Sequence, residues 1–136
     1  RMRANTVRFA PCSRTAWHSH PGGQTLYVLE GRGLVQSRGG DIVELRPGDV
    51  IYTPPGEEHW HGAAPDRFMT HLAIWEAPDE GPESEWGALV TDDEYLAAPA
   101  EPATGAFGAS LGKRRAVTPP AAAAMKHRAR VVAGRM

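Results

Sequence analysis

Two short stretches of this chain concentrate its chemistry. One is Trp17-His18-Ser19-His20-Pro21-Gly22-Gly23-Gln24, and the other is Pro54-Pro55-Gly56-Glu57-Glu58-His59-Trp60-His61. Side chains alternate faces along an extended segment, so His18 and His20 point one way together, as do His59 and His61. Gln24 adds a carbonyl oxygen four residues after His20. With His59 brought alongside by a later strand, His18, His20, Gln24 and His59 offer three neutral nitrogens and one neutral oxygen. That donor set suits a borderline divalent transition metal. Blander readings exist: His18 and His20 as a surface pair, or Gln24 standing aside from a three-histidine site.

Such a cluster needs short strands joined by tight turns, and the sequence supplies them. Thr6-Val7-Arg8-Phe9 alternates polar and apolar residues, as a half-buried strand does. Thr15 to His20 is extended, and Pro21-Gly22-Gly23 turns the chain. Gln24 to Glu30 is rich in β-formers and ends at Gly31-Arg32-Gly33. Leu34 to Ser37 and Ile42 to Leu45 flank Arg38-Gly39-Gly40-Asp41 as a hairpin. Val50 to Thr53, His59 to Ala63 and Phe68 to Glu76 follow, separated by Pro47-Gly48-Asp49, Pro54-Pro55-Gly56 and Pro65-Asp66. In the last strand Met69, His71, Ala73 and Trp75 share one face. About eight short strands with turns between them predict an antiparallel sandwich or barrel. Beyond a charged loop over 77–85, Trp86 and Leu89-Val90 are expected to fold back onto the body. Thr91 caps a short helix at Asp92 to Ala97, with acidic residues in its first turn.

Composition fits one modest all-β domain. The 136 residues are 41% hydrophobic and 23% charged. Cys12 has no second cysteine to pair with, so an internal disulfide is excluded. No apolar run reaches the roughly 20 residues of a membrane helix, no signal peptide is visible, and the cytoplasm is the expected compartment. Residues 1–96 carry 8 Lys and Arg against 15 Asp and Glu, whereas residues 97–136 carry 7 against 1. The acidic body is read as a domain over 3–96. The Ala/Pro/Gly-rich basic tail over 97–136 is expected to be disordered, with a partial helix around Ala121 to Val132 as an option. Its charge alone makes no nucleic-acid platform, because aromatic residues are not interleaved with it.

The spacing His18-x-His20-x-x-x-Gln24, with Gly31 after it, and then Gly48 with Pro54-x-Gly56-x-x-His59, resembles the two cupin motifs. Cupins are double-stranded β-helix barrels with a metal inside. The usual cupin has Glu where this chain has Gln24. The runs Arg14 to Pro21, His59 to Pro65 and Met69 to Ile74 resemble the small bacterial manganese cupins with hydroxynitrile lyase activity, which also carry Gln at that position. The resemblance implies His18, His20, Gln24 and His59 as metal ligands, with manganese first and iron or zinc as alternatives. It puts His61 and His71 beside the metal, with His71 as the base. It also implies a small-molecule substrate and a homodimer or higher homo-oligomer. Asn5 and Trp75 depart from that group at pocket-facing positions, and Trp75 is large enough to shrink the cavity.

An amide ligand leaves a dication its full charge. That favours Lewis-acid polarisation of a carbonyl or alkoxide and disfavours Fe(III). A neutral histidine nearby can accept a proton from a hydroxyl or from hydrogen cyanide. A core histidine bonded to backbone is the rival for His71, and a supporting role is the rival for His61. Trp17, Trp60 and Trp75 are read as core, Arg14 as a surface or ion-pair residue and Glu30 as a turn residue. His127 is assigned nothing. The expected function is a metal-dependent lyase that cleaves or forms cyanohydrins. An Fe(II)-dependent dioxygenase or oxidase and a non-catalytic ligand-binding cupin are the alternatives.

Overall fold

The computed structural model describes residues 1–97 and the strand at 130–132. The first eight strands are β1 (Met2–Phe9), β2 (His18–Ser19), β3 (Gln24–Gly31), β4 (Gly33–Ser37), β5 (Val43–Leu45), β6 (Val50–Thr53), β7 (His59–Ala63) and β8 (Met69–Glu76). They are followed by β9 (Glu85–Trp86), helix α1 (Asp92–Tyr95) and β10 (Arg130–Val132). One sheet runs β1-β8-β3-β6-β10 and the other β5-β4-β7-β2-β9, with all pairings antiparallel.

Period-2 alternation drives the packing. Leu26 and Val28 of β3, Val35 of β4, Ile51 of β6, and Met69 and Ala73 of β8 form the core between the sheets. Trp60, which lies between His59 and His61 on β7, points the other way. It joins Trp17, Leu34, Ile42, Val90 and Tyr95 in a second cluster. Its indole N–H donates to Gln36 Oε1 at 2.8 Å. The expected hairpin across residues 38–41 forms, with Val35 opposite Val43.

Two glycines make the turns at the two ends of β3 possible. Gly23 has φ +76°, and a Cβ there would lie 2.8 Å from the Thr53 carbonyl oxygen. Gly31 has φ +81°, and its Cβ would meet the Phe68 carbonyl oxygen at 1.9 Å. Only glycine relieves both the φ and the contact.

Several elements differ from expectation. β1 is an edge strand that alternates exposed and partly buried residues over 6–9, as expected, but begins earlier, with 2–5 all exposed. Of the extended run 15–20 only His18–Ser19 pairs as strand. The helix stops at Tyr95, where Thr91 and Glu94 form a capping box. Val90 is buried as expected, but Leu89 is 81% exposed. The tail over 98–136 lies outside the described residues except at Arg130–Val132, where a strand pairs with β6 rather than continuing a helix.

Candidate metal centre

The two sheets bring five histidines together. His18 pairs directly with His59 across β2 and β7, and their ring centroids are 4.3 Å apart. His20 lies 5.2 Å from His18 and 6.0 Å from His59. His61 is 5.3 Å from His18 and 4.9 Å from His71, ring edge to ring face. Gln24 enters from the opposite sheet and places Oε1 3.0 Å from His59 Nε2. All six side chains are buried. One ligand atom from each of His18, His59 and His61 falls within 4.8 Å of the others, with no Asp or Glu joining them among the described residues.

Hydrogen bonds separate these histidines into two kinds. His18 Nδ1 faces the Ala16 carbonyl at 3.0 Å, His20 Nδ1 faces the Glu83 carbonyl at 3.0 Å, and His59 Nδ1 faces the Glu57 carbonyl at 3.0 Å. A carbonyl can only accept, so each ring carries its proton on Nδ1 and keeps a lone pair on Nε2. Metal-binding histidines are held in this way. His61 and His71 differ, because neither ring has a hydrogen-bond partner on either nitrogen among the described residues. His71 lies between His61 and Phe9, whose ring is 5.7 Å from it.

Burial pushes every member towards the neutral form. His59 is pushed down to about 3, by desolvation first and then by the neighbouring His18. Desolvation alone pushes His71 down to about 4. His61 is lowered well below the usual histidine range by desolvation and then by His71. His18 and His20 are lowered by the same cause.

The donor set fits a divalent cation. A neutral His59 that donates Nδ1–H to Glu57 presents a lone pair at Nε2, and Gln24 Oε1 at 3.0 Å is also an acceptor. Two acceptors in such contact are reconciled by a shared cation or by a turned amide. The buried His20 Nε2 likewise has no hydrogen-bond partner among the described residues. Both sets, the one expected from sequence and the one with His61, share His18 and His59. The carbonyl tethers favour His20 over His61 as the third nitrogen, because only a tethered ring has its lone pair fixed in place.

Trp17, Trp60 and Arg14 take the core and ion-pair places expected of them, whereas Asn5 does not face the pocket. Asn5 is opposite Ala73 on β1 yet exposed. Trp17 and Trp60 are core. Trp75 is partly buried and borders the site, its ring 5.9 Å from His20. Arg14 is structural, donating to the Val90 carbonyl and stacking over Tyr95. Glu30 is exposed and pairs with Arg8. Sequence reasoning missed Trp86, which stacks on the His18 ring at 4.7 Å, and Glu83, whose backbone holds His20. Neither residue type carries a signal for those contacts.

The Cupin domain family matches residues 5–75. A protein named (R)-mandelonitrile lyase from Granulicella tundricola is 54% identical over 90 residues, which cover 66% of this chain and 68% of that protein. A cupin-like protein from Thermotoga maritima has a crystal structure similar at TM-score 0.66 and 47% identity, covering 69% of this chain and 70% of that one. A DMSP lyase from Ruegeria pomeroyi is similar in fold alone, at TM-score 0.56 and 24% identity over 62% of this chain and 42% of that one.

Proposed function

The chain belongs to the cupin family, and we propose that it is a divalent-metal-dependent lyase that cleaves or forms cyanohydrins. The observation that carries this proposal is the group of tethered, neutral histidines beside two untethered ones, in a chain 54% identical over 90 residues to a protein named (R)-mandelonitrile lyase. His18, His20, Gln24 and His59 would hold the ion, manganese first. When bound, it supplies a Lewis acid next to the substrate oxygen. The lack of an acidic residue in the histidine cluster, among the described residues, favours this chemistry over oxidative cycling of iron.

His71 is the proton carrier. Its ring is neutral near pH 7, because burial holds it down to about 4. Both nitrogens are free of hydrogen-bond partners among the described residues, so one can accept the cyanohydrin hydroxyl proton. The electron pair left on oxygen forms the carbonyl as the carbon–carbon bond to cyanide breaks. Cyanide takes the proton back from His71 and leaves as hydrogen cyanide. The imidazolium form is strongly acidic in this setting, so the return is favourable. His61, against His71, steadies the anion. The buried surroundings exclude water that would compete for the proton.

The test is release of benzaldehyde from mandelonitrile by manganese-loaded protein. Cleavage is expected, with a large loss on chelation and in His71→Ala. Oxygen uptake with bound iron and no cleavage would refute the proposal.

A further inference from the structure

The loop after β8 returns across the site, and one residue of it makes three separate attachments. The Glu83 carbonyl faces His20 Nδ1 at 3.0 Å, supported by Ser84 Oγ at 3.2 Å from the same nitrogen. Its carboxylate accepts the Trp75 indole N–H at 2.9 Å through Oε2. Through Oε1 it accepts from the Arg3 guanidinium at 3.1 Å. Arg3 and Trp75 are themselves opposite each other across β1 and β8. Trp75 is also opposite Gln24 across β3 and β8, and its ring lies 5.9 Å from His20. A large indole therefore borders two of the four proposed ligands, and a charged acceptor fixes its edge.

An indole has two side-chain torsions, and a hydrogen bond to a carboxylate is stronger than one between neutral groups. The bond holds the ring in one orientation instead of letting it swing into solvent. We propose that Trp75, latched by Glu83 and Arg3, is the specificity-determining wall of this site and restricts it to ligands with little bulk beyond the first few atoms. Glu83 is a positioning residue, because it acts through Trp75. Its two functions separate cleanly: the side chain sets the wall, and the backbone carbonyl sets His20. This inference rests on His20 and Gln24 lining the reactive site.

Imidazole and 4-phenylimidazole are suitable probes, since both seek a metal site whatever reaction it supports. Their Kd values are measured calorimetrically on the manganese-loaded wild type, Trp75→Ala, Trp75→Phe and Glu83→Ala. The ratio of the two constants is expected to shift toward 4-phenylimidazole by about tenfold in Trp75→Ala, the scale of a pocket wall removed. It should shift by a smaller but clear factor in Trp75→Phe, which loses the hydrogen bond and part of the ring, and in Glu83→Ala, which loses the bonds to both Trp75 and Arg3. Metal content should stay unchanged in Glu83→Ala, because the carbonyl on His20 remains. In the wild type the Trp75 indole proton should exchange slowly with solvent, and quickly once Glu83 is Ala. A ratio unchanged across all variants overturns the latch, as does the failure of either probe to bind any of them. Absence of mandelonitrile cleavage alongside the expected shifts would remove the lyase proposal and leave the latch standing.

Discussion

Whether a buried imidazole binds a cation or moves a proton depends on what holds its second nitrogen. In His18, His20 and His59 that nitrogen faces a backbone carbonyl, and in His61 and His71 it has no hydrogen-bond partner among the described residues. His71→Ala should therefore lower cleavage by about 10²- to 10⁴-fold, the usual contribution of a general base, while metal content is retained. Gln24→Glu adds an anionic ligand. It should tighten metal binding in a calorimetric titration and reduce turnover by on the order of tenfold, since it offsets the charge that polarises the substrate. The metal-free protein also has a predictable pH response. His59 and His71 are held down to about 3 and about 4, against an ordinary value of 6.5. Above pH 6.5 both states are neutral there and no penalty arises. As pH falls from 6.5 towards 3, the unfolded chain takes up protons that the fold refuses. Stability then drops by up to about 1.4 kcal/mol per pH unit for each histidine titrating. Urea midpoints at pH 7 and pH 5 measure this directly, with the lower midpoint at pH 5. The sequence made the positions of these five histidines legible through strand alternation. It could not show which ones carry a tether, because carbonyl partners such as those of Ala16 and Glu83 are independent of residue type.

At the scale of elements, the β3 and β8 strands show what a close approach demands. Gly31 combines a left-handed φ with a Cβ position inside the contact distance of the Phe68 carbonyl. Gly31→Ala should destabilise the fold by about 2 kcal/mol or more, seen as a lowered denaturation midpoint. Thr91→Ala, which removes half of the capping box on α1, should cost about 1 kcal/mol. Strands β3 to β8 were legible because turn residues bracket short alternating runs. β1 was legible as a strand but not as an exposed edge, which depends on which neighbour it lacks. β9 pairs with β2 through Ser19 opposite Glu85, in a stretch whose charges and prolines read as loop. Two residues are too few for a periodic signal. The loop before β9 gains its importance from Glu83 and Ser84, which both reach His20.

For the whole molecule, two clusters share the labour. The one between the sheets carries the site, and the one outside anchors α1 and Val90 against Trp17 and Trp60. Tyr95 closes the second by donating its hydroxyl to the Ala63 carbonyl at 2.7 Å. The site is thus built on strands that also pack through these clusters, and a bound ion should add to the stability of the fold. At a hundredfold excess over Kd an ion bound only by the fold adds about 2.7 kcal/mol. For a domain of this size that raises Tm by roughly 10–20 °C, and chelation should reverse the shift. The central claim is that His18, His20, Gln24 and His59 share one ion while His61 stands beside it. Calorimetric titration of manganese into wild type, His59→Ala and His61→Ala tests it most directly. One ion per chain is predicted for wild type and His61→Ala, with binding lost or weakened at least a hundredfold in His59→Ala. Equal loss in both variants, or no binding by the wild type, would contradict it.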